Sequence, residues 1–184
     1  MENKLMMRLV IATEAILFIS LMITYVYFDL SVGFTKQSIN YLDIKSTGIF
    51  SVLLFSSSFT LVQAEKNYSE GKIKKLKIWL FATIVLGSVF LFGQAKEYFK
   101  LLNNHFNISL DVFSTNFFTL TGFHAFHVII GLILLIIVFI LTLAGDFDRP
   151  NSTALSSIGM YWHFVDIVWI LVFTLVYVLP YLLK

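Results

Sequence analysis

The chain has 184 residues, of which 58% are hydrophobic and only 13% are charged, and its mean hydropathy is +0.85. This composition is too apolar for a soluble globular domain and indicates a polytopic membrane protein. The formal net charge of +2 comes from basic residues between apolar runs. That pattern is a topology signal and not a nucleic-acid-binding tail, so no nucleic-acid partner is expected. The absence of cysteine excludes disulfides, thiolate metal sites and cysteine nucleophiles.

Five apolar runs follow one another along the chain, each close to the roughly 20 residues that span a bilayer. They predict an all-α fold, a bundle of five transmembrane helices that forms a single transmembrane domain over 1–184. The predicted helices cover about 5–28, 47–64, 78–95, 117–144 and 158–182. Three consecutive serines, 56–58, lie in the second run, where small hydroxyl side chains let helix backbones approach closely.

The first apolar run has one alternative interpretation, because it follows Lys4 and Arg8 as a signal peptide would. It is longer than a signal-peptide core, contains Glu14, and is not followed by a small-x-small cleavage site. We therefore expect a retained transmembrane helix.

The distribution of basic residues predicts the orientation. Five helices put the termini on opposite sides, and eight basic residues fall on the N-terminal side against five on the other. By the positive-inside rule the N-terminus is cytoplasmic and the C-terminus periplasmic. The eight are Lys4, Arg8, Lys66, Lys72, Lys74, Lys75, Lys77 and Arg149; the five are Lys36, Lys45, Lys96, Lys100 and Lys184.

Ionisable side chains inside the apolar runs are the candidate functional residues, since such groups are costly in a membrane and face protein rather than lipid. They are Glu14, His124, His127, His163 and Asp166. With a rise of about 1.5 Å per residue, Glu14 and His163 are expected at one depth, and His127 and Asp166 at another near the midplane. His163 and Asp166, three residues apart, share a helix face.

These depths predict two pairs, Glu14 with His163 and His127 with Asp166. The pairs could fix helix register through interhelical hydrogen bonds, or they could handle protons. Axial haem ligation by His124 or His127 together with His163 is a third hypothesis. The unequal depths of His163 and His124 disfavour it. No catalytic residue and no metal ligand is predicted.

Four segments together resemble subunit III of the haem–copper respiratory oxidases, in order and over nearly the whole chain. TGFHAFHVIIG (121–131) resembles that family's TGFHG-HV helix, and YWHFVDIVW (161–169) resembles its last helix. The segment 83–98 is similar to the family's LG–F–Q–EY helix, and TEAILF (13–18) is similar to the helix that carries its buried glutamate.

The resemblance implies a non-redox, non-catalytic subunit of a proton-translocating terminal oxidase in aerobic respiration. It implies that this subunit packs against the catalytic subunit near the mouth of a proton-uptake path and supports both the catalytic subunit and proton uptake. It implies catalytic subunit I and subunit II as partners, and places haems and copper in those partners and no cofactor in this chain. Bound phospholipid and a multi-pass position in the bacterial inner membrane are also implied. Lipid-binding residues are not predicted: long members have seven helices and a lipid cleft beside the first two, which this chain lacks. Ser156 stands where many long members have a glutamate, so that residue's role does not carry over.

Three alternatives remain open. Short five-helix members serve cytochrome c oxidases and quinol oxidases alike; Glu14 favours cytochrome c, because the quinol branch often has aspartate there. A membrane anchor that binds haem b or quinone is a second alternative. A proton-coupled transporter is a third, but no internal repeat or mid-helix proline is visible.

Overall fold

The computed structural model describes residues 2–33, 42–145 and 154–182, and these ranges form five long helices. All five are long and apolar enough to cross a membrane, which confirms the predicted all-α, five-helix membrane class. Which terminus is cytoplasmic stays a prediction, and Lys36, Arg149 and Lys184 of its charge count lie outside the described residues. The helices are α1 (Glu2–Val32), α2 (Ile44–Ser69), α3 (Ile73–Asn103), α4 (Val112–Ala144) and α5, which runs from Ala154–Phe173 through a π-helical stretch at Thr174–Val178 to Leu179–Leu182.

The helices extend beyond most ends of the predicted apolar runs. The lysine-rich segment 65–77, between the second and third apolar runs, is expected from its charge to be a loop, but it is largely helical, and only residues 70–72 separate α2 from α3. Hydropathy marks the part of a helix that lies in hydrocarbon, whereas backbone hydrogen bonding continues into the polar interface. Gly71, with φ of 70°, makes the tight turn possible.

Side-chain caps fix the starts of two helices. The Asp43 carboxylate accepts a hydrogen bond of 3.2 Å from the Ser46 backbone N–H at the start of α2. Asp111 and Ser114 form a reciprocal capping box at the start of α4. Such caps satisfy backbone N–H groups that have no partner within the helix.

Helices α2, α3, α4 and α5 form a closed ring in which each packs on the next and α5 packs back on α2. Helix α1 lies outside this ring against α4 and α5, and it is the most exposed of the five helices. Helix α5 therefore contacts α1, α2 and α4, and it is the most buried. The segment 161–169 thus lies where most helices of the bundle meet.

Candidate functional site

The Glu14 carboxylate and the His127 imidazole form a pair between α1 and α4, with Glu14 Oε2 2.9 Å from His127 Nε2. His127 is buried, whereas the Glu14 side chain is 30% exposed. Both line a groove of about 410 Å³ between the two helices, together with Phe123 and Phe126. The pair is therefore reachable from the membrane along this groove.

The bonding of His127 limits where its protons can be. Its Nδ1 lies 2.6 Å from the carbonyl oxygen of Phe123, and since a carbonyl only accepts, Nδ1–H must donate. His127 Nε2 then either donates to the Glu14 carboxylate as imidazolium or accepts from the protonated acid. In both forms the pair is neutral overall, which lowers the cost of placing it in a membrane.

A second cluster lies between α2 and α5 around the hydroxyl of Ser58. Ser58 Oγ is 2.8 Å from His163 Nδ1 and donates a hydrogen bond to Asp166 Oδ2. Because a hydroxyl has one proton, the His163 Nδ1–H donates to Ser58 when Ser58 donates to Asp166. The expected common face of His163 and Asp166 is confirmed, since both reach one serine.

The two predicted pairs are wrong. Glu14 bonds to His127 and not to His163, and Asp166 bonds to Ser58 and not to His127. Part of the error is depth: α1 begins at Glu2, so Glu14 follows 12 residues later, about 18 Å along the axis and near the helix midpoint. The rest is rotation, because depth says nothing about which neighbour a side chain faces.

His124 makes no hydrogen bond to either cluster and is enclosed by aromatic rings. Its ring stacks on Trp169 with centroids 4.7 Å apart, and Phe18 and Phe90 contact it edge-on. Neither ring nitrogen has a hydrogen-bond partner among the described residues. Trp169 would have to leave before a haem could approach this histidine, so the packing gives no support to the haem-anchor alternative.

A third polar cluster, around Glu97, is not predicted by the sequence. Buried Glu97 of α3 accepts hydrogen bonds from Thr47 of α2 (3.0 Å) and Tyr177 of α5 (2.9 Å) through one oxygen, Oε2. Tyr177 lies in the π-helical stretch, and such stretches are frequent at functional sites. Hydropathy alone places Glu97 at the membrane interface. This residue stands between Lys96 and Tyr98, beyond the end of the third apolar run.

Two tryptophans of α5 donate hydrogen bonds to serines of α2 and complete the α2–α5 interface. Trp162 Nε1–H donates to Ser57 Oγ at 3.0 Å, and Trp169 Nε1–H donates to Ser51 Oγ at 2.8 Å. The serines of α2 thus satisfy buried donors in addition to allowing close packing. Within the described ranges, no group of three or more His, Cys, Asp or Glu side chains could hold a metal ion.

The family model for cytochrome c oxidase subunit III matches residues 2–181. The chain belongs to the cytochrome c oxidase subunit III family. As a subunit III it is part of a haem–copper oxidase, and this family lacks redox centres.

Curated relatives agree with this membership. The chain is 34% identical to cytochrome c oxidase subunit 3 of Corynebacterium diphtheriae over 79% of this chain and 71% of that protein. It is 31% identical to cytochrome c oxidase subunit 3 of Synechocystis over 93% of this chain and 73% of that protein. Its identity to the Nocardia farcinica protein named probable cytochrome c oxidase subunit 3 is 36%, over 74% of this chain and 67% of that protein.

The four segments that resemble subunit III meet inside the bundle. Phe18 at the end of TEAILF contacts both His124 and His127 of the TGFH segment. Phe90 of the third segment contacts Trp169 of the last one, with ring centroids 5.0 Å apart. Subunit III motifs that are far apart in sequence therefore build one interior.

Proposed function

We propose that the chain supports the catalytic subunit of a cytochrome c oxidase, next to its proton-uptake side, without carrying electrons or protons on an obligatory route. The observation that supports this proposal is that four of the five ionisable groups predicted for the membrane interior, all except His124, are hydrogen-bonded to other side chains of this chain. Glu14 bonds to His127, and Ser58 joins His163 to Asp166. Paired groups of this kind fix helix register, which a subunit needs in order to present a constant surface.

The partners in this proposal are catalytic subunit I and subunit II, which carry the haems and copper, in the bacterial inner membrane with the N-terminus of this chain in the cytoplasm. Cytochrome c is the proposed electron donor, in keeping with the names of the relatives. The chain is proposed to act as a single transmembrane domain. Phospholipid tails are the proposed occupant of an apolar groove of about 600 Å³ between α1 and α5, lined by Met22, Ile23, Val26, Leu171 and Leu175.

Co-purification tests the proposal. An affinity tag on this chain should recover a complex whose partner chains hold all haem and copper, and which oxidises reduced cytochrome c but not quinol. A stoichiometric haem b Soret band in the isolated chain would refute the non-redox role. Quinol oxidation by the intact complex would refute the choice of donor while leaving the subunit assignment in place.

A further inference from the structure

A polar pocket opens between α2 and α3 at the end of the bundle that the predicted topology places outside. Its volume is about 290 Å³, and its lining is Asp43, Ser46, Gly93, Lys96, Glu97 and Lys100. Asp43 immediately precedes α2, and Lys100 lies three residues before the end of α3 at Asn103. The pocket is therefore at the level where a transmembrane helix leaves hydrocarbon and meets lipid headgroups.

Charges of both signs line this pocket. Lys100 Nζ is 3.5 Å from Asp43 Oδ2, an exposed pair that adds little stability by itself. Lys96 is exposed and makes no ion pair within the described part of the chain. The lining contains two ammonium groups and two carboxylates, so its positive and negative charges are equal in number. A ligand with separated positive and negative groups therefore matches this pocket better than a purely anionic ligand does.

Glu97 gives the pocket a buried acceptor. Only one of its two carboxylate oxygens is bonded, to Thr47 and Tyr177, and Oε1 has no partner among the described residues. The side chain is only 9% exposed, and a buried acceptor without a donor is costly. An ammonium or hydroxyl group of a ligand would supply that donor.

We propose that this pocket binds the headgroup of an aminophospholipid, with the phosphate on Lys96 and Lys100 and the ammonium directed to the carboxylates of Glu97 and Asp43. Ser46 lines the same pocket, and its hydroxyl can donate to the phosphate. The volume lies at the lower end of the roughly 300–1,000 Å³ of small-molecule sites, which suits a headgroup while the acyl chains stay in the bilayer. The inference rests on the membrane position of the chain and not on its role in the oxidase.

Lysine footprinting of the wild-type complex tests this proposal without any variant. Three samples of the complex are compared. The first is in vesicles of phosphatidylethanolamine with phosphatidylglycerol, the second is in vesicles of phosphatidylglycerol alone, and the third is in phosphatidylglycerol vesicles with added inorganic phosphate. Acetylation of Lys96 by excess reagent should be slowed about tenfold in the first sample only. Lys45, which is exposed at the start of α2 and does not line the pocket, is the internal control.

Protection in phosphatidylglycerol alone would show an anionic-lipid site, protection by inorganic phosphate a free-anion site, and no protection in any sample an empty pocket. Each of these results overturns the aminophospholipid proposal. None of them bears on turnover with cytochrome c, so the proposed function is tested separately.

Matched charge removal gives the second measurement. The double variant Lys96→Gln with Lys100→Gln should lose one phosphatidylethanolamine per purified complex, counted by mass spectrometry. Lys74→Gln with Lys75→Gln removes the same charge at the opposite end of the bundle and should retain that lipid. Equal lipid counts in the two double variants would contradict the proposal.

Discussion

Trp162 of α5 lies directly against Gly131 of α4, so closely that an added Cβ at Gly131 would be 2.8 Å from Trp162 Cε3. The indole is fully buried, and its other edge lies 2.8 Å from a Cβ built at Gly87 of α3. One tryptophan is thus held between two helices that each have a glycine at the contact. A ring cannot bend away as a flexible side chain can, so this arrangement tolerates no added methyl group.

We therefore expect Gly131→Ala to destabilise the subunit by about 1–3 kcal/mol through overpacking. Gly122→Ala on the same helix is the control, because its nearest neighbour is the Tyr98 hydroxyl at 3.7 Å. The thermal unfolding midpoint of the purified complex measures both. An equal shift in the two variants would mean that helix propensity, and not the Trp162 contact, sets the effect.

Asp166→Ala should remove the acceptor of the Ser58 hydroxyl and loosen α2 from α5, at a cost of about 1–2 kcal/mol. The expected phenotype is loss of the complex during purification. A double-mutant cycle locates the effect: Asp166→Ala should couple to Ser58→Ala but add independently to His127→Ala. If Asp166→Ala coupled to His127→Ala and not to Ser58→Ala, the result would support the His127–Asp166 pair that the sequence predicts.

Glu14→Gln keeps the shape of the side chain and can still donate to His127 Nε2, but it cannot titrate. We expect an assembled oxidase whose turnover falls at most several-fold with proton pumping retained. Turnover and pumping are measured in reconstituted vesicles, with haem content as the measure of assembly. Abolished turnover in a fully assembled complex would mean that Glu14 is an essential proton carrier.

Tyr177→Phe should remove one of the two side-chain hydrogen bonds that Glu97 accepts within the described residues and leave the bond from Thr47. Loss of a hydrogen bond to a buried charged or polar group costs about 1–3 kcal/mol, so the α3–α5 contact should weaken at the end of the bundle that holds Glu97. Protease sensitivity of the loop between α3 and α4 provides the readout. Tyr98→Phe is the matched control, because it removes a tyrosine hydroxyl whose partner at 2.7 Å is the neutral hydroxyl of Thr121 and not a carboxylate.

Asp43 gives a prediction for pH. The Ser46 backbone N–H and the nearby Lys100 hold the pKa of the Asp43 carboxyl below its usual value of 3.8. A carboxyl group whose pKa is lower in the folded protein than in the unfolded chain stabilises the folded state at pH values above its unfolded pKa. This contribution is lost as the pH falls through the pKa of the folded state. Between pH 5 and 8 the loss caused by Asp43→Ala, about 1 kcal/mol for a helix cap, should therefore be constant. Thermal unfolding of the two proteins across this range measures it, and a loss that shrinks within the range would contradict the assignment.

The class and the candidate residues of the interior follow from the sequence alone. Twenty-residue apolar runs can satisfy their backbone groups in lipid only as helices, so hydropathy is sufficient to predict five spans. The cost of an ionisable group in a membrane is likewise local to its own helix, and it singles out Glu14, His127, His163 and Asp166 without reference to any neighbouring helix.

Partner choice is different, because it depends on how each helix is rotated about its axis and on which helices are neighbours. Packing decides both: α1 lies outside the ring against α4, which brings Glu14 to His127, while α5 turns Asp166 towards Ser58 of α2. Hydropathy does not reveal Glu97, because this residue follows Lys96 beyond the end of the apolar run, and only burial against neighbouring helices makes it part of the interior. The depth of a side chain follows from the rise along its own helix once the start of that helix is known, whereas the direction in which the side chain faces is set by the packing of the whole bundle.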